Sequence, residues 1–123
     1  MQKEPENLAH QRDLGIALES VGRICEKQED LGRAQELFAQ SRGIRELLVK
    51  KEPENLAHQR ELCIALLCAG RAARKAGKRD EAVNRLESAK ALSEGLVARG
   101  WSRAGIKEHL QEIEEELRLA RQT

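Results

Sequence analysis

Tyrosine is absent from this 123-residue chain, which holds a single Trp and a single Phe. A surface that stacks bases on aromatic rings therefore has nothing to build with. Any core must be filled by Leu, Ile, Val and Ala. Proline occurs only twice, at Pro5 and Pro53, so long stretches carry no obligatory helix break. There is no run of 18 apolar residues, and no membrane-spanning helix is expected. Charge of one sign is lacking too. The 22 Lys and Arg against 21 Asp and Glu leave +1, so no global field draws the chain to nucleic acid or acidic lipid. The start, MQKEPEN, has no apolar segment of the secretory kind. The cysteines, Cys25, Cys63 and Cys68, are odd in number and form no C-x-x-C pair. A reduced, cytoplasmic setting is the simpler expectation.

Chemical motifs are equally scarce. The sequence has no glycine-rich phosphate loop, no G-x-S-x-G and no H-E-x-x-H. His10 and His58 are expected on adjacent helices, roughly 8–10 Å apart, too far to grip one zinc at about 2 Å each. Cys63 and Cys68 point away from each other on one helix, and Cys25 fits a small buried place. The chain reads as a non-enzyme with no metal and no cofactor.

What the chain does have is a repeat. Lys3–Arg12 reads KEPENLAHQR, and Lys51–Arg60 reads the same ten letters. The offset from Lys3 to Lys51 is 48 residues. Residues 3–50 form repeat one and 51–98 repeat two, with 101–123 a half repeat, all within a single domain. Self-similarity at this period signals supersecondary units that bury their apolar faces against one another.

Helical spacing runs through each unit. Leu14, Ala17, Leu18, Val21, Ile24 and Cys25 give repeat one a first stripe. Leu31, Ala34, Leu37, Phe38, Ser41, Ile44 and Leu48 give a second, with Asp30 placed to cap it. Repeat two follows with Leu62, Ala65, Leu66, Ala69, Ala72 and Ala73, stopped at Gly77. Its second helix, from near Asp80 to Gly100, buries Ala82, Leu86, Ala89, Leu92 and Leu96. The half repeat carries Ile106, Leu110, Ile113, Leu117 and Ala120. Its opposite face, Glu108, Glu112, Glu115, Glu116 and Arg118, is expected in water, with Ser102 capping the start.

Small residues then mark a family. Gly70, Ala82, Leu86 and Ala89, with G-K-R-D-E-A from Gly77 to Ala82, resemble the tetratricopeptide repeat. Gly22, Ala34, Phe38 and Ser41 hold the matching places in repeat one. The chain departs from that pattern in its 48-residue period, in lacking the aromatic positions, and in lacking the proline near the end of the second helix. The resemblance implies an all-α fold: a right-handed α-solenoid of two antiparallel helical hairpins plus a C-terminal capping helix. It also implies a non-catalytic protein–protein interaction module or scaffold.

The family's concave groove, carried onto this sequence, falls on Ile16, Glu19, Arg23 and Glu26, then Ile64, Leu67, Arg71 and Arg74. Arg12 and Arg60 continue it one turn earlier, and Glu112 and Glu115 add to it from the half repeat. The middle of that surface is basic and aliphatic. Arginine grips carboxylates by paired hydrogen bonds, so an acidic peptide or helix across Arg23, Arg71 and Arg74 is the sharper expectation. The plainer alternative is that these arginines pair with Glu19, Glu26 and their neighbours. The basic run Arg71, Arg74, Lys75, Lys78 and Arg79 has no interleaved aromatics and is followed by Asp80 and Glu81, so nucleic acid is not an expected partner. A different class of function is homo-oligomerisation, through stripes left exposed on an uncapped N-terminal hairpin.

Overall fold

The computed structural model describes residues 7–101 and 105–122, and among them every regular element is an α-helix. Pro5, the leading Met1-Gln2 and the Ser102 cap lie outside the described residues. The helices are α1 (Leu8–Lys27), α2 (Leu31–Lys51), α3 (Leu56–Lys75), α4 (Arg79–Ala98) and α5 (Ile106–Arg121).

The duplicated ten-residue motif is a helix start. Asn7 accepts a hydrogen bond from the His10 amide at 3.1 Å, and its counterpart Asn55 accepts from Ala57 at 3.0 Å. Each satisfies a backbone donor that has no partner within the helix. Asp30 caps α2 as its sequence position suggested, accepting from Arg33 at 3.3 Å. Lys78 offers α4 no side-chain cap, but Asp80 and Glu81 sit in the first turn, where carboxylates meet the positive end of the helix dipole.

The turns closing α1 and α3 share one geometry. The Asp30 amide reaches back to the Cys25 carbonyl, and the Lys78 amide to the Ala73 carbonyl. The residue before each is left-handed: Gly77 at φ 81° and Glu29 at φ 63°. Glycine takes this conformation freely, whereas a side chain there strains against the backbone. Glu29→Gly is expected to raise stability by about 0.5–1 kcal/mol, read from the denaturant midpoint. An unchanged or lowered midpoint would refute the strain.

Helices pack in chain order, each on the next, and α3 also touches α5. α1 and α2 run antiparallel: Gly22 meets Phe38, and Gly15 meets Arg45. Likewise Gly70 meets Leu86, and Cys63 meets Ser93. The glycines at the crossings are required by space. A Cβ on Gly22 would lie 2.7 Å from the Phe38 ring, and one on Gly70 2.6 Å from Leu86 Cγ. Ala34, Ala82, Ala89 and Ser41 beside these crossings are fully buried.

Two apolar clusters result. One gathers Leu62, Leu66, Leu86, Ile113 and Leu117, and the other Cys25, Leu37, Phe38, Cys68 and Ala72. The stripes expected for α2 to α5 lie on or beside these clusters. The stripe expected for α1 divides: Cys25 joins the second cluster with Leu18 packed against it, whereas the other members face outward. Leu14, Val21 and Ile24 are 49%, 45% and 53% exposed, and Ala17 is exposed as well. Besides Cys25, α1 buries Gly15, Glu19, Gly22 and Glu26, none of which belongs to that stripe. Glu116 is a second correction: it is buried under Arg74 rather than facing water.

Candidate interaction surface

The charges expected to line a groove are held in two clusters that join the helices. The first lies between α1, α2 and α3. Arg45 of α2 is 2% exposed. Its Nε and Nη2 donate to Glu19 at 3.0 and 3.1 Å, and its Nη1 donates to Glu61 at 3.0 Å. Ser41 Oγ donates to Glu19 at 2.5 Å, and Arg12 Nη2 donates to Glu61 at 3.0 Å. Gly15 leaves room for the guanidinium: a Cβ there would sit 3.2 Å from Arg45 Cζ. A buried charge survives only when paired and hydrogen-bonded, and every member here is.

The second cluster links the odd-numbered helices. Arg71 of α3 donates to both oxygens of Glu26 on α1, at 2.8 and 3.0 Å, and to Glu112 on α5 at 3.1 Å. Lys75 approaches Glu26 at 3.0 Å, and Arg74 donates to Glu116 at 2.6 Å. Burial pushes the Glu26 carboxyl up, but Arg71 and Lys75 outweigh it and hold it below the usual glutamate value. Burial works against the Arg71 charge, and Glu26 more than restores it. Both therefore stay ionised at neutral pH.

The expected site residues thus divide. Glu19 and Leu67 are buried, Glu19 inside the first hairpin. Glu26, Arg71 and Arg74 are tied to internal partners, as is Arg12. Arg60 faces His109, whose ring is held below its ordinary pKa by burial and then by that guanidinium. Glu115 pairs with Arg118 on its own helix. Arg23 has no carboxylate partner among the described residues, only a 3.7 Å contact to Cys68 Sγ. It lines a cleft of about 250 Å³ with Glu26, Lys27, Arg71 and Lys75. Four cations surround one carboxylate there.

Cys63 and Cys68 are buried, and burial pushes both up from the usual thiol pKa, away from the thiolate that reacts. Among the described residues no three metal-ligating side chains converge, and no helix is long and apolar enough to cross a membrane.

Sequence reasoning missed Arg45, and a signal for it existed. Moving 48 residues on turns Gly15, Glu19, Ser41 and Arg45 into Cys63, Leu67, Ala89 and Ser93. All four differ, and all four lie along the contact between the two helices of a hairpin. Repeat two fills the same space with Leu67, Ala89 and a 2.7 Å contact between Cys63 Sγ and Ser93 Oγ. Mismatches that fall together along one contact mark a polar unit exchanged for an apolar one. Comparison with known proteins adds no family here: no family model, curated protein or solved structure matches the chain.

Proposed function

We propose that this chain is a non-catalytic protein–protein interaction module, a tetratricopeptide-like right-handed stack working in the cytoplasm. The observation that supports this most is the apolar stripe on α1. Leu14, Val21 and Ile24 form a contiguous exposed row on one helix, and such rows mark contact surfaces. Affinity capture with the intact chain and with Ile24→Glu tests the reading. Proteins retained by the former and lost with the latter are the expected result. An identical retained set would remove the stripe from the function.

Two narrower readings each have an observation behind them. The cleft at Arg23, Lys27 and Lys75 keeps its cationic surplus and suits an acidic peptide, although Arg71 and Arg74 would first have to be drawn from Glu26 and Glu116. Self-association would use the stripe. Light scattering over a hundredfold concentration range separates self-association from binding of another protein: the former needs a mass that grows above 13.8 kDa.

A further inference from the structure

The repeat itself describes what fits the α1 stripe. Leu14, Ala17, Val21 and Ile24 correspond, 48 residues on, to Leu62, Ala65, Ala69 and Ala72 of α3. Those are covered: Leu62 is 8% exposed, and Ala65 and Ala72 are 0%. The helix against them is α2, the second helix of the preceding hairpin, and Leu37 of α2 shares a cluster with Ala72. The half repeat agrees. Ile113, Leu117 and Ala120 occupy the same places on α5 and are buried beside α4. At two of its three occurrences this face is closed by the second helix of a hairpin.

Charge specifies the occupant further. The α3 face is flanked by Glu61 and Arg71. Glu61 receives Arg12 and Arg45, and Arg71 grips Glu26, three partners from the hairpin before it, while Glu112 of α5 also meets Arg71. The counterparts of Glu61 and Arg71 on α1 are Asp13 and Arg23. Neither has an ion-pair partner among the described residues, and Asp13 is exposed. The flanking charges of the covered face are thus repeated on the open one.

We infer that α1 receives one kind of partner: a helical hairpin of the repeat-one type. It brings a guanidinium near the end of its second helix to Asp13, and a carboxylate near the end of its first helix to Arg23. A second copy of this chain does not match. Its Arg45 and Glu26 are engaged with Glu61 and Arg71, and its second hairpin offers Ser93 and Arg74 at those places. Size sets one more requirement. Ile24 stands where α3 has Ala72, so the incoming helix carries a residue smaller than leucine where α2 has Leu37. The inference rests on the interaction-module reading and names the partner's chemistry.

The test keeps the full chain and places a copy of residues 3–50, with Leu37→Ala, directly ahead of Lys3. The probe is that added hairpin. Amide exchange across residues 14–24 should slow by about tenfold or more relative to the unextended chain. Asp13→Arg with Arg23→Glu in the original copy should return it to the unextended rate. Unchanged exchange, an added hairpin that stays unfolded by circular dichroism, or protection that survives charge reversal would each overturn the inference. So would growth in mass of the unextended chain that the same reversal abolishes, because a second copy would then be the occupant. The readout needs no cellular partner. Stripe-dependent capture persisting without hairpin docking would sink the inference and leave the function standing; docking without capture would do the reverse.

Discussion

Replacing Arg45 by methionine should destabilise the protein by about 3–5 kcal/mol, the loss typical of a buried ion pair stripped of one partner. Domains of this size hold only about 5–15 kcal/mol in total, so the variant should sit near its unfolding midpoint in mild denaturant. The reason is geometric. Arg45 is 2% exposed and supplies three of the hydrogen bonds that satisfy Glu19 and Glu61. Without it Glu19 keeps only Ser41 in a site it cannot leave, whereas Glu61 keeps Arg12. The second repeat supplies the control. Gly15→Cys, Glu19→Leu, Ser41→Ala and Arg45→Ser made together install the set that packs between α3 and α4. Equilibrium urea unfolding should place this quadruple variant much closer to the original chain than Arg45→Met lies. A loss under about 1 kcal/mol for Arg45→Met would mean the network contributes no net stability.

The other large effect lies two turns away on α2. Phe38→Ala should cost about 3–5 kcal/mol through lost burial and the cavity left behind. Phe38 is fully buried against Gly22, within a cluster that also holds Cys25, Leu37 and Cys68. Phe38→Leu should cost far less, because Leu86 fills the equivalent place against Gly70. Gly22→Ala is expected to be harmful alone, since its Cβ would press on the ring at 2.7 Å. In the Phe38→Ala background it should become neutral or helpful. Such a reversal is the signature of two residues sharing one space. Additive losses in the double variant would show that the pair is not tightly packed.

Much of the fold was legible because helix periodicity and repeat register are local properties. Ala34, Phe38, Leu86 and Ala89 fall on buried faces because spacing alone places them there. The face of α1 was not legible in that way. Its spacing marks Leu14, Val21 and Ile24 as apolar, but only the position of α2 decides whether anything covers them. Their counterparts on α3, Leu62, Ala69 and Ala72, are apolar too and pack into the core, so exposure is decided by the neighbouring helix rather than by apolar character alone. The charged surface failed for a related reason. Glu19, Arg45 and Glu116 read as solvated residues one at a time, and they are buried because each meets an opposite charge from another helix. Pairings across 26 or 42 residues of sequence, Glu19 with Arg45 and Arg74 with Glu116, have no local signature.

The ion pairs from α1 to α3 sit near both ends of α1, with Arg12 on Glu61 at one and Glu26 on Arg71 at the other. A helix packed on one side only ordinarily peels away first. Here peeling from either end breaks a bridge to the second repeat, and at the Arg12 end it also exposes Arg45, which holds α2. The first hairpin therefore has no inexpensive partial opening. Fraying at either end of α1 is thereby tied to α3, and the expected behaviour is that the first hairpin opens as one piece rather than residue by residue.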